Sequence, residues 1–183
     1  MSFNVSPAGL PDALIITPKV YHDDRGWFCE SWNEREFAAA TGLDLHFVQD
    51  NHSRSARNVL RGLHYQIKEP QGRLIRVISG AVFDVIVDLR RHSAAFGRWR
   101  GWELSAANRQ MLWVPPGYAH GFLALEDNTE ILFKTTGYWN PAAERSLLWN
   151  DPQLGIQWPL QQTPLLSAKD RAGVALRDAE VYP

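Results

Sequence analysis

Cysteine is almost absent. Cys29 is the only one in 183 residues, which excludes an internal disulfide framework and any metal site built on several thiolates, and fits a reducing compartment. An excess of charge of one sign is missing too, since 19 Lys and Arg against 20 Asp and Glu leave a net charge of −1. Without a basic stripe, nucleic acid is not an expected partner, and an anionic ligand has to be met by a few placed cations. No apolar run is long enough to span a membrane. The N-terminal segment MSFNVSPAGLPDALIITPKV has no basic leader and is broken by Pro7 and Pro11. Neither a signal peptide nor a membrane contact is expected, and a cytoplasmic chain is. Repeats, low-complexity tracts and linkers are also lacking, so one domain over residues 1–183 is expected.

What the sequence does hold is a series of short apolar runs separated by Gly, Pro, Asp and Asn. Ala13–Thr17 and Trp27–Trp32 read as strands around a turn at His22–Gly26. Asn33 and Glu36 form a capping-box signature for a helix from Glu34 to about Ala40, stopped by Gly42. Strands follow at Leu45–Asp50, Leu60–Gln66, Leu74–Ser79, Ala81–Leu89, Trp99–Leu104, Met111–Val114, Tyr118–Leu125 and Glu130–Thr136, with a last helical turn near Asp170–Ala172. This spacing predicts an all-β fold, an antiparallel sandwich or barrel with a few short helices. In Ala81–Leu89, Phe83, Val85, Val87 and Leu89 share one face, while Val82, Asp84, Ile86 and Asp88 share the other.

The run Leu60–Gln66, L-R-G-L-H-Y-Q, is the most informative stretch. Period-two alternation puts His64 and Gln66 on one face and Leu63 and Tyr65 on the other. Arg61 joins the His64 face only if Gly62 bulges or kinks the strand. A cation, an imidazole and an amide converging in a sheet suggest a lined pocket; the plainer reading is polar groups satisfied at a strand end.

P-P-G-Y-A-H-G-F places His120 just inside a strand and resembles the second motif of cupins, small antiparallel jelly-roll barrels. Many cupins hold a metal through an H-x-H pair. This chain has Gly62 and Gln66 two residues either side of His64, so a metal site would have to be assembled from His64, His120 and carboxylates elsewhere. D-x-R-G-x-F-x-E at Asp23–Glu30, Q-D-N-H-S at Gln49–Ser53, L-R-G-L-H-Y-Q, Q-G-R-L-I-R at Gln71–Arg76, P-x-G-x-A-H-G-F, Y-W-x-P-x-x-E at Tyr138–Glu144, L-W-N-D-P at Leu148–Pro152 and L-S-A-K-D at Leu166–Asp170 then occur in order. Together they resemble the dTDP-4-dehydrorhamnose 3,5-epimerase family over roughly residues 10 to 172.

The resemblance implies a cupin homodimer, with no metal and no other cofactor, that epimerises C-3 and C-5 of dTDP-4-dehydro-6-deoxy-D-glucose in nucleotide-sugar biosynthesis. By the same resemblance His64 is the base and Asp170 the carboxylate that orients it, although Asp170 alone also reads as a helix N-cap. Arg61 and Arg73 match positions beside the sugar and its 4-keto oxygen, with Arg73 standing where the family has Lys. Gln49, Asn51, His120 and Lys169 match sugar- and nucleotide-binding positions. Arg25 and Glu30 match nucleotide-side positions reaching from the partner subunit, and Glu144 follows the same pattern. Tyr138 resembles the aromatic that stacks on thymine, with Trp139 beside it.

One position departs from the pattern. The family's general acid is a Tyr, and the matching residue is Phe133, which has no proton to give. Tyr138, Tyr65 or a water could replace it, or the chain could invert only one carbon. More distant alternatives are a metal-dependent cupin and a sugar-nucleotide binder without catalysis.

Overall fold

Short alternating runs become antiparallel strands along most of the chain. The computed structural model describes residues 2–183. In order the elements are β1 (Phe3–Pro7), β2 (Leu14–Pro18), β3 (Val20–Asp23), β4 (Gly26–Cys29), α1 (Glu34–Thr41), β5 (Gln49–Ser55), β6 (Leu60–Gln66), β7 (Arg73–Ser79), β8 (Ala81–Asp88), β9 (Trp99–Ser105), β10 (Met111–Val114), β11 (Tyr118–Ala124), β12 (Thr129–Thr135), β13 (Glu144–Ser146), α2 (Ala168–Arg171) and a 3-10 turn at Leu176–Asp178. A six-stranded sheet runs β1-β2-β10-β7-β12-β5, a five-stranded sheet runs β13-β6-β11-β8-β9, and β3-β4 form a separate hairpin. The all-β expectation with few short helices is therefore met.

Inward-facing residues of the two sheets meet in one apolar cluster, with Ile75, Val77, Leu112 and Ile131 from one side and Val82, Ile86 and Phe122 from the other. The alternation read along β8 holds: Val85, Val87 and Leu89 face outward with Leu63 and Tyr65, and the C-terminal segment covers them with Leu147, Leu154, Leu176 and Tyr182. On the outer side of the six-stranded sheet, Phe37 of α1 packs over Ile16, Leu74, Met111 and Trp113. The helix starts and stops as expected, with Asn33 accepting from the Glu36 N–H and Gly42 in the left-handed region at φ 72°.

Three local expectations change. Phe3–Pro7 is a strand paired with β2, which Pro7 at its end and Pro11 beyond it concealed. The strand expected at Leu45–Asp50 begins only at Gln49 and continues to Ser55. Leu45 and Phe47 instead pack with α1, while Q-D-N-H-S-R-S is too polar on both faces to show an amphipathic period. The strand expected at Trp27–Trp32 spans only Gly26–Cys29, while the turn at His22–Gly26 is found as expected, at the tip of the β3-β4 hairpin, which carries exposed Tyr21, Trp27 and Phe28.

The pairing of β6 with β11 contains the irregularity that the glycine suggested. His64 lies opposite His120 and Arg61 opposite Phe122, so β6 has an extra residue there. Gly62 has φ 116°, and a Cβ on it would meet the Gly121 Cα at 2.6 Å and the His120 carbonyl at 2.7 Å. Backbone cannot yield as a flexible side chain can. Gly62→Ala is therefore expected to cost roughly 2–4 kcal/mol in urea unfolding; a loss under half of that would mean the strands separate easily.

Asp88 ends β8 as a fully buried carboxylate. It accepts from Arg90 Nε at 3.0 Å, Arg90 Nη2 at 2.8 Å and Ser93 Oγ at 2.7 Å. Burial acts to raise its pKa, but the bonds from Arg90 and Ser93 prevail and hold it below the ordinary carboxylate value. A depressed folded pKa gives stability that is present above about pH 4 and is lost as pH falls through the folded value. Asp88→Asn is expected to cost about 3 kcal/mol at neutral pH and to flatten the decline of the urea midpoint below about pH 4. An unchanged acid dependence would remove Asp88 from the groups that set it.

Candidate active site

The bulge in β6 puts Arg61, His64 and Gln66 on the face that looks between the sheets. A cavity of about 330 Å³ opens beside His64 and is lined by Gln49, Asn51, Gln71, Arg73, Phe133, Trp139 and Glu144. A larger hollow of about 560 Å³, beside Arg57 and Leu123, is lined by no His, Asp or Glu.

His64 Nε2 meets Asp170 Oδ1 at 2.5 Å across 106 residues of sequence. The Asp170 side chain is 3% exposed and that of His64 21%. Parallel bridges of the tail, Val59 with Leu165 and Leu147 with Val174, hold the one-turn helix α2 against this end of β6. Ser167 is the N-cap of α2, so the capping role open to Asp170 in the sequence belongs to its neighbour. Burial acts to raise the Asp170 pKa, but hydrogen bonds from His64, Ser167 and the Gly62 N–H outweigh it and keep the carboxyl below its ordinary range. With Nε2 committed, Nδ1 is the His64 nitrogen left to take a proton.

A second pair lies beside it. His120 Nε2 contacts both Asp84 oxygens at 2.9 Å, and Asp84 is fully buried. The alternation along β8 put Asp84 on the face of Val82 and Ile86, which the fold turns inward, but suggested no role for it. Its one signal was a carboxylate inside an apolar strand, which in isolation is costly unless paired.

Arg73 donates Nη1 to the His64 carbonyl at 3.3 Å. Burial pulls its pKa down, opposed by Tyr182, Glu144 and Asp84, and a guanidinium remains charged under such a pull. Arg61 shares the His64 face but extends away from the cavity lining, with Nε on Ser55 Oγ and Nη2 on the Arg54 carbonyl, each at 3.1 Å. Gln49 donates to Asn51 at 2.9 Å and accepts from the Trp139 N–H at 3.0 Å. This fixes the loop at the mouth, where Trp139 is 56% and Tyr138 70% exposed. Only Trp139 of this pair lines the cavity. Lys169 Nζ pairs with Glu144 Oε1 at 2.9 Å on the same rim.

Arg25 and Glu30 do not reach this cavity in their own chain. Arg25 sits at the exposed hairpin tip, paired with Asp23 at 2.6 Å, and Glu30 accepts from Asn33 at 3.1 Å. Phe133 lies opposite Asn51 on β5 and Ile75 on β7, with its ring against the inner apolar cluster and one edge on the cavity. Tyr65 cannot stand in for a missing phenol there. Its hydroxyl donates to the Glu180 carbonyl at 2.6 Å on the outer side, and burial pushes its pKa up to about 12. Among the described residues no group of three or more His, Cys, Asp or Glu is placed to hold a metal.

Known proteins resemble this chain in sequence and in fold. The family model for dTDP-4-dehydrorhamnose 3,5-epimerase matches residues 7–178. The dTDP-4-dehydrorhamnose 3,5-epimerase of Pseudomonas aeruginosa is 56% identical over 174 residues, covering 95% of this chain and 96% of that protein. That of Salmonella typhimurium is 51% identical over 176 residues, 96% of each chain. The crystal structure of dTDP-6-deoxy-D-glucose-3,5-epimerase from Legionella pneumophila, in complex with dTDP-4-keto-L-rhamnose, superposes with a TM-score of 0.94 at 43% identity, covering 97% of this chain and 95% of that one. With a family model spanning most of the sequence and half-identical relatives over nearly its whole length, the chain belongs to the dTDP-4-dehydrorhamnose 3,5-epimerase family.

Proposed function

We propose that this chain, an isomerase by family, inverts C-3 and C-5 of dTDP-4-dehydro-6-deoxy-D-glucose to give dTDP-4-dehydro-L-rhamnose, with His64 as the base. The observation that carries the proposal is the His64–Asp170 pair on the wall of a cavity that also holds a half-buried guanidinium, Arg73. A proton next to a ketone is removed only if the base is neutral and the developing enolate oxygen meets positive charge. His64 Nδ1 takes the proton, Asp170 stabilises the imidazolium formed, and Arg73 stands by for the 4-oxygen. Gln49 and Asn51 hold the sugar and nucleotide with support from His120, and Arg61 joins Arg73 beside the 4-oxygen once its guanidinium leaves Ser55 and the Arg54 carbonyl. Tyr138, Trp139, Glu144 and Lys169 form the nucleotide side of the mouth. The chain acts as a single domain in the cytoplasm.

The active form is proposed to be a homodimer. The β3-β4 hairpin exposes Tyr21, Trp27 and Phe28, each by more than half, although Lys19 and Arg109 lie over the Tyr21 and Trp27 rings, and this largely aromatic surface has Arg25 at its tip. Pairing two copies through it brings Arg25 and Glu30 to the partner's cavity. Sedimentation is expected to give twice the chain mass of 20.8 kDa, and a monomer with full activity would remove the hairpin from the site.

Phe133 supports a second reading, inversion at one carbon only, because a phenyl ring on the cavity wall returns no proton. Substrate incubated in deuterium oxide and followed by NMR separates the two. Label with inversion at both C-3 and C-5 is expected; at one carbon alone, the chain is a mono-epimerase. Label at neither carbon, with dTDP still bound, would leave a binding protein. His64→Ala is expected to slow exchange about a thousandfold at both positions. Phe133→Tyr is expected to speed turnover about tenfold or more, and an unchanged rate and product would show that position 133 carries no part of the proton return.

A further inference from the structure

Asp170 serves His64 only while its carboxylate keeps one orientation, and the group that holds it comes from neither β6 nor the cavity wall. Ser167 Oγ accepts the Asp170 N–H at 3.1 Å and donates to Asp170 Oδ2 at 2.7 Å. Oδ1 meanwhile meets His64 Nε2 at 2.5 Å and the Gly62 N–H at 3.3 Å. The two carboxylate oxygens are thus divided between the imidazole and the serine hydroxyl, and water reaches neither freely because the side chain is 3% exposed.

Capping explains only half of this. An N-cap side chain has to accept a backbone N–H, and Ser167 does so. The second bond, from hydroxyl to carboxylate, adds nothing to the helix end. A one-turn helix also has little stiffness of its own with which to aim a side chain. We infer that Ser167 is a positioning residue for the reaction: its hydroxyl locks the Asp170 carboxylate against His64 Nε2 and, by drawing charge toward Oδ2, limits how tightly the pair holds an imidazolium. The inference rests on His64 being the base.

Removing the hydroxyl leaves Oδ2 buried without a donor, a loss typical of a charge-assisted hydrogen bond. Negative charge then concentrates on Oδ1 and favours the protonated imidazole, which is inactive as a base. The other charged groups around the pair stay in place: Arg73 from β7, His120 and Asp84 from β11 and β8, Glu144 from β13 and Lys169 from α2 itself.

Ser167→Ala, Ser167→Gly and Ser167→Thr test the inference through the pH profile of kcat/KM. Gly is included because it costs an N-cap only a few tenths of a kcal/mol relative to Ser, so it removes the hydroxyl from a helix end that still forms. In the Ala and Gly variants kcat is expected to fall about tenfold or more, with KM within about twofold, and the acidic limb of kcat/KM to move up by roughly one pH unit. Ser167→Thr, which keeps the hydroxyl, is expected to restore both. An unshifted limb in the folded Gly variant, or no rescue by Thr, overturns the role of Ser167 and leaves His64 as base. Exchange that survives in His64→Ala overturns the base assignment, and this inference with it.

Discussion

The close approach of Gly62 to Gly121 is the constraint on which the site depends. At 2.6 Å from the position of an absent Cβ to the facing Cα, no other residue fits without moving one of two central strands. The bulge it permits has two consequences. It turns Arg61 onto the same face as His64, which a regular strand would forbid at a spacing of three. It also takes the Gly62 N–H out of the ladder and gives it to Asp170 Oδ1. A break in backbone pairing thus becomes part of the hydrogen-bond set that fixes the carboxylate.

Around that break the interior is divided in composition. One part of the space between the sheets is filled by Ile75, Val77, Val82, Leu104, Leu112 and Ile131, and this packing sets the sheet spacing. The remainder holds polar groups that would each be costly if unpaired. They are paired in short chains: His64 with Asp170 and Ser167, His120 with Asp84, and Gln49 with Asn51 and the Trp139 backbone. Groups held this way need little reorganisation when charge develops beside them, which is the condition for electrostatic stabilisation of an enolate.

The sequence made much of this legible, and physical reasons separate what it showed from what it hid. Period two was visible wherever one face was apolar, so β6, β8 and β11 could be read directly, and the face shared by His64 and Gln66 with them, though not which way that face points. It was invisible in β5, whose inward Gln49 and Asn51 line the cavity while its outward Asp50 and His52 meet solvent. A strand polar on both faces has no hydrophobic period to find. Asp170 could be matched through L-S-A-K-D, but nothing local predicts a contact spanning 106 residues. Ser167 and Asp84 escaped for related reasons. One reads as an ordinary cap and the other as a lone acid, and only the fold reveals their partners.

By the motif resemblance Phe133 stands for a Tyr and Arg73 for a Lys, and two such exchanges would have different physical weight. Exchanging an ammonium for a guanidinium keeps the positive charge and alters its shape. Arg73 uses Nη1 on the His64 carbonyl, which ties the cation to the strand that carries the base and keeps the two in register. Exchanging phenol for phenyl keeps the shape and removes the proton. The ring at 133 still packs on the inner cluster, so the wall and the volume beside it are preserved while its acidity is gone. Binding and proton removal draw on groups other than this ring. In the proposed mechanism the change falls on one step, the return of a proton to the enolate, where a weaker acid such as water costs rate according to its proton affinity. On that proposal the arrangement separates the two halves of an epimerisation, with removal resting on His64 and its carboxylate and return open to whatever donor reaches the opposite wall.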